Sequence, residues 1–409
     1  MTTPTRRLRQ AMTVTAAALV AACAGGSEAA DTAPTTRQTA AEATTDDATD
    51  ATTEDRGATT TDQPASTERR STTTESRPTT TESRPTTTES RPTTTASTST
   101  TSTTTSTTTT LPPTATTTPE PARMPLTGIP LDYGQAPPDR PAMVVKVDNA
   151  PAARPQSGFN LADIVFEEIV NDNLTRFALV FHSQGSDPVG PIRSGRLQDV
   201  DLFASYAAPS FVWSGGNATV ENAIANSGFL DLRFGSNGLF LDRGKRSPHQ
   251  VYGNTSTLWE NTQPWQGRPG AQFSYRRDGE QPLGVPAAGV DIILDSVDVR
   301  WIWDPALGGY LREMDGEAHY DAATGQVSTH NVVVLAMNYV QGVSDSPDAQ
   351  SIGYGEAHVF SGGTYVHGTW VRADRFAPFT LAADDGTPIE LTPGRTFIEL
   401  PRPASTFSF

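Results

Sequence analysis

Cysteine is almost absent. The 409-residue chain carries one, Cys23, so no internal disulfide is available and the folded part must hold together by core burial. A basic surplus is absent too. Lys and Arg number 30 against 46 Asp and Glu, a formal net charge of −16, the wrong balance for a protein that neutralises nucleic-acid phosphates. No apolar run reaches the roughly 20 residues a membrane-spanning helix needs. There is no His-Glu-x-x-His, no Gly-x-Ser-x-Gly and no Gly-rich Lys-Ser/Thr phosphate loop. The expectation is therefore no catalytic residue, no cofactor and no metal, with a binding role favoured over an enzyme.

What the chain has begins with its leader. Arg6, Arg7 and Arg9 precede an uncharged, mostly apolar run from Ala11 to Ala22. Val20-Ala21-Ala22-Cys23 then resembles a bacterial lipobox. Residues 1–23 thus read as a lipoprotein signal peptide, with export, lipidation at Cys23 and residence on the extracytoplasmic face of the cell membrane as the expectation.

Residues 24–121 are rich in Thr, Ser, Pro and acidic side chains, with few large apolar ones. Such a segment buries too little to offset its chain entropy and is expected to be a disordered stalk. Thr-Thr-Thr-Glu-Ser-Arg-Pro repeats at Thr72–Pro78, Thr79–Pro85 and Thr86–Pro92. The period is seven, but no apolar position recurs to make a coiled-coil seam, and proline ends any helix. As a random coil the stalk would reach about 50–60 Å. Its composition also suits O-glycosylation.

Residues 122–266 read as an α+β (mixed α/β) domain. Ala142–Asp148 patterns as a strand, and Ala162–Val170 with Leu174–His182 as a hairpin around Asn171-Asp172-Asn173. Leu197, Val200, Ala204 and Ala207 recur at helical spacing, which predicts a helix over Ser194–Ala207. Ala218–Asn226 and Thr255–Asn261 predict two more. Residues 267–289 are Pro- and Gly-rich and read as a linker. Residues 290–403 read as a mostly antiparallel β domain, sandwich or barrel-like. A two-residue turn at Gly362-Gly363 would place His358 opposite His367 on one face. No third metal ligand is evident beside them.

The chemistry-bearing pattern is Gly190-Pro191-Ile192-Arg193-Ser194-Gly195-Arg196. It places two arginines at the start of the predicted helix, an end that is already partly positive. Arg154, Arg176, Arg246 and His249 add to that charge, while Asp148, Asp163 and Glu167 supply carboxylates. These residues either form an internal Arg–carboxylate network or bind an anion. Ser194 could be imagined in a triad with His249 and Asp163, but a helix-capping hydroxyl is the simpler reading.

Several motifs occur in a family's order: Pro125-Leu126-Thr127-Gly128, Asp148-Asn149, Ala153–Gly158, Ala162–Glu167, Leu174–Phe177, the Gly190–Arg196 run and Pro248-His249. With Gly368-Thr369-Trp370 and Leu391–Thr396 further on, the chain from Pro125 resembles the YerB-like lipoproteins, which carry domains of unknown function. Gly195 stands where that family usually has Ala, and Glu167 matches its carboxylate. The resemblance implies an exported or lipid-anchored protein in two parts, and no established reaction.

Three roles follow as expectations. The first is a tethered module for an anionic envelope ligand, a cell-wall glycan or peptide or a phosphosugar. The second is an adaptor that binds envelope proteins through the β domain. The third is a hydrolase using Glu167 or Asp163 as base. No nucleic-acid partner is expected.

Overall fold

Val, Ile and Phe crowd the segments 143–148, 164–169 and 175–181, and these form the centre of the molecule. In the computed structural model residues 120–408 are described, apart from 172, 404 and 406. The leader, Cys23 and the stalk to residue 119 lie outside the described residues.

Strands β1 (Met143–Asp148), β2 (Ile164–Ile169) and β3 (Thr175–Phe181) are buried along their whole length. β2 and β3 form the expected antiparallel hairpin, and β3 continues antiparallel onto β1. Two short parallel strands extend that side, β4 (Ser210–Val212) and β5 (Leu230–Leu232).

On its other side β2 pairs in parallel with Thr396–Leu400, near the end of the chain. That strand also pairs in parallel with Asn331–Leu335. Gly353–Ser361, Thr364–Arg372 and Thr380–Ala383 complete an 11-stranded sheet. The stretch 267–289 divides the chain in sequence, but the sheet runs continuously across both parts. Within that stretch Arg276 is buried and donates to the Glu390 carbonyl at 3.1 Å.

The two faces of this sheet are covered differently. One packs Val144, Phe166, Val180 and Leu335 against helical segments, through Leu202, Phe203, Tyr206 and Ile224. The other packs Val145, Phe177, Leu179 and Phe397 against a second, six-stranded antiparallel sheet. Its hairpin is Gly289–Leu294 and Val297–Asp304, and Asp295 turns it at φ 53°.

Helices are few. α1 is Gln198–Leu202, α2 is Ala218–Ala225 and α3 is Thr255–Leu258. α2 and α3 fall where the periodicity predicts. The helix expected over Ser194–Ala207 is cut at both ends. Residues 193–196 are not helical, a 3-10 turn replaces the α-helix at Ala204–Tyr206, and Ala207 ends it at φ 58°.

Candidate functional site: an arginine cluster at the end of the central strands

Strand periodicity places the site. Lys146 and Asp148 on β1, Glu168 on β2 and Arg176 on β3 share one sheet face, and Asp148, Arg176 and Glu168 lie in one cross-strand row. The chain after β3 then returns alongside β1. The Asp148 amide donates to the Pro191 carbonyl at 3.0 Å, and the Arg193 amide to the Lys146 carbonyl at 2.9 Å. This return needs Gly190, whose φ is +147° and whose missing Cβ would stand 2.7 Å from the Tyr252 ring.

Arg193 and Ser194 therefore lie beside the strand ends. Arg193 ion-pairs with Asp148 at 3.1 Å, and His249 Nδ1 lies 2.6 Å from the same carboxylate oxygen. Arg176 donates to the Ser194 carbonyl at 2.8 Å. The Arg196 amide donates to Asp199 at 2.6 Å, and its guanidinium donates to Asn171 at 2.6 Å. Ser194 thus contributes a backbone acceptor and does not cap α1, whose start at Leu197 has no side-chain cap.

Beneath these groups lies a buried ionic centre. Lys146 Nζ reaches Glu168 and donates to Asp199 Oδ1 at 2.9 Å, all three side chains being fully buried. Gln198 donates to Glu168 and accepts from the Ala349 amide at 2.8 Å. Burial pulls the Lys146 ammonium down to about 8, Asp199 offsetting it only in part while Arg176 and Arg196 add to the lowering. Burial, then Arg196 and Arg193, pull the Arg176 guanidinium down to about 9, still charged at neutral pH.

A cleft of about 190 Å³ opens beside the cluster. Asn171, Arg196 and Asn217 lie on its lining with Ser344, Ser346 and Asp348. Burial, then the neighbouring Asp201, push the Asp348 carboxyl up.

The structure thus brings together Asp148, Arg176, Arg193, Ser194, Arg196 and His249. It leaves the other candidates elsewhere. Arg154 bonds Asp315 at 3.0 Å and the Asn149 carbonyl at 3.2 Å. Arg246 is exposed, and only its carbonyl meets His249, accepting from that amide at 2.8 Å. Asp163 accepts from the His182 and Ser183 amides at 2.6 and 2.8 Å, so it belongs to the turn after β3. A Ser194–His249–Asp163 triad is not assembled, since His249 is held by Asp148.

Glu167 points to the opposite face from Glu168. It reaches Arg312, accepts from Thr175 at 2.5 Å and from Asn149 at 3.1 Å. Its register partner across the two parts of the chain is Glu399, which accepts from Trp301 at 2.9 Å. Burial, then the Glu167 charge, hold the Glu399 carboxyl well above the usual carboxylate range. Glu167 is thus a member of a buried Arg312-centred network, not the partner-free carboxylate a hydrolytic base would be.

Lys146, Glu168, Gln198 and Asp199 went unrecognised in the sequence. The one local signal was charge inside otherwise apolar strand runs, at Lys146 between Val145 and Val147 and at Glu168 before Ile169. Glu356 was missed as well. It stands two residues before His358, on the same face of its strand.

The comparisons agree with this architecture. Residues 126–266 match "Protein of unknown function (DUF3048) N-terminal domain" and residues 290–398 match its C-terminal domain. The chain is 27% identical over 302 residues to "Putative lipoprotein YerB" of Bacillus subtilis, covering 68% of this chain and 86% of that protein. The crystal structure of the Bacillus subtilis YerB protein superposes with a TM-score of 0.62 at 22% identity, over 70% of this chain and 99% of that one. With both domains matched in order and the fold shared, the chain belongs to the DUF3048 family, proteins of unknown function.

Proposed function

We propose that this protein is an extracytoplasmic lipoprotein, anchored through Cys23, whose folded part binds an anionic envelope ligand at the Arg176–Arg193–Arg196 cluster and its cleft. The lipobox-like start and the naming of the Bacillus subtilis relative as a "Putative lipoprotein" support the anchor. One observation carries the binding role. Four cations, Lys146, Arg176, Arg193 and Arg196, meet three carboxylates, Asp148, Glu168 and Asp199, beside an open cleft. With Asp348 on the cleft lining the charges balance, so the site favours an anionic group through the positive side of Arg196 and its neighbouring arginines and not through a net surplus.

The cleft narrows the ligand. Arg196 lines it, and so does Asp348. A cation and a carboxylate in one cleft match a ligand that carries both a carboxylate and an ammonium, as a cell-wall peptide does. They match a phosphosugar less well, because Asp348 repels phosphate.

A thermal-shift screen of the full chain with cell-wall muropeptides and phosphosugars tests this reading. Muropeptides raise the melting temperature of the wild type and leave the Arg193→Ala/Arg196→Ala double variant unmoved. If no ligand shifts the wild type and the double variant simply melts lower, the arginines are structural and the binding reading fails.

A second reading rests on a different surface. Tyr354, 78% exposed, pairs across strands with the exposed Val371 on the outer part of the large sheet. This apolar pair supports an adaptor role through the C-terminal part. Pull-down from envelope extracts with and without Tyr354→Ser separates the two readings.

A further inference from the structure

The hairpin of Gly353–Ser361 and Thr364–Arg372 carries a cluster unconnected to the arginine site. Gly362 and Gly363, at φ +65° and +78°, form its two-residue turn, and this register sets His358 directly opposite His367. Glu356, two residues before His358, lies on the same face. One donor atom from each of these three residues lies within 4.8 Å of the others, and they are the one such group among the described residues.

The orientation of the two imidazoles matters more than their proximity. His367 Nδ1 meets the Asp384 carboxylate at 2.7 Å, and His358 Nδ1 meets the Tyr365 hydroxyl at 2.9 Å. Each ring is thereby turned so that its other nitrogen faces one shared point. His367 Nε2 lies 2.8 Å from Glu356 Oε1, and His358 Nε2 lies 3.5 Å from the same oxygen. A metal-bound histidine is ordinarily held in this way, its remote nitrogen fixed by a carboxylate or another polar partner.

We propose that Glu356, His358 and His367 hold a divalent transition-metal ion, Zn²⁺ by donor type, with Asp384 and Tyr365 positioning the two imidazoles. Two imidazole nitrogens and one carboxylate oxygen form a borderline-soft set that suits Zn²⁺ better than Mg²⁺ or Ca²⁺, which take all-oxygen shells. Tetrahedral Zn²⁺ with bonds near 2.0–2.1 Å sets its ligand atoms about 3.3 Å apart. The 3.5 Å separation already fits. The 2.8 Å contact opens by about 0.5 Å to reach that spacing, a small swing for the 45%-exposed Glu356 side chain. His358 is buried and His367 is 39% exposed, so the fourth position faces solvent and takes water or a ligand group. The ion would join the two strands to the Asp384 turn.

The test uses tag-free, chelator-treated full-length protein titrated with Zn²⁺ and with Co²⁺. The expected result is one equivalent bound per chain, visible Co²⁺ bands of tetrahedral intensity and a raised melting temperature. His367→Gln and Glu356→Gln each weaken binding at least 100-fold while the metal-free melting temperature stays at the wild-type value. Asp384→Asn, which removes only the positioning carboxylate, weakens it by about 10–100-fold. If His367→Gln fails to fold, Glu356→Gln, at an exposed position, decides. No stoichiometric binding by the wild type, or unchanged binding in the Glu356 and His367 variants, overturns the proposal.

Discussion

Lys146 stands between Val145 and Val147 in a strand with no exposed residue. Its ammonium is tolerated there because Glu168 reaches it from β2, on the far side of β3, and Asp199 from α1. Neither partner is near it in sequence, so an isolated charge in an apolar run was the only trace the sequence offered. Lys146→Met leaves two carboxylates buried without their cation. We expect it to lose about 3–5 kcal/mol of stability, measurable by urea denaturation. A loss below about 1 kcal/mol would mean that the centre rearranges or that water enters it. Gly195 carries a second residue-scale consequence. A Cβ there would stand 2.8 Å from the Trp213 ring and 3.2 Å from Asp199 Oδ2. Gly195→Ala, the residue usual in the family the chain resembles, should cost about 1–3 kcal/mol by overpacking and perturb the fluorescence of the buried Trp213. A variant as stable as the wild type would show that this turn shifts freely.

Elements set by short-range chemistry were legible, and those set by distant partners were not. The β2–β3 hairpin and the His358–His367 register follow from turn residues and period-two patterning, and both fold as expected. The segment after Arg193 shows the limit. Its helical spacing is real over Leu197 and Val200. Further back, the Arg193 carbonyl is taken by the Ser214 amide at 3.0 Å and the Ser194 carbonyl by Arg176, so the backbone there serves β4 and β3 and not a helix. The turn after β3 makes a pH prediction. Burial, and then nearby Arg140, lower the His182 imidazole to about 4. Between the ordinary histidine value of about 6.5 and that value, the unfolded chain takes up a proton that the folded chain refuses. The His182 contribution to stability therefore falls as pH drops through this window and levels off below it. His182→Asn should show a smaller loss of stability between pH 7 and pH 5 than the wild type. Equal losses would place the histidine in contact with water or with an anion.

The large sheet makes the two family domains one structural unit. Thr396–Leu400 lies between β2 and Asn331–Leu335, parallel to both, and every residue of it is buried. Composition marked 267–289 as a boundary because Pro and Gly cluster there, yet nothing local records that the last long strand of the chain inserts beside one of the first. A chain ending at Arg395 would expose the Ile164–Ile169 edge, and the Glu167–Arg312–Glu399 network would lose its third member. Such a truncation should aggregate, because an unpaired apolar edge templates further pairing. A soluble truncated chain with one cooperative unfolding transition would instead show that the domains fold independently. Few of the arginine–carboxylate contacts were legible, because strand faces and the Gly190 turn assemble them from five segments of the chain.

The role proposed for the arginine cluster and its cleft is to receive an anionic group. Calorimetric titration of the full chain with a short cell-wall peptide, carrying one free carboxylate and one free ammonium, tests it most directly. Saturable binding is expected, weakened at least tenfold by Arg196→Gln and unchanged by Arg246→Gln, an exposed arginine outside the cluster. Equal affinity for wild type and Arg196→Gln, or no binding by either, would contradict it.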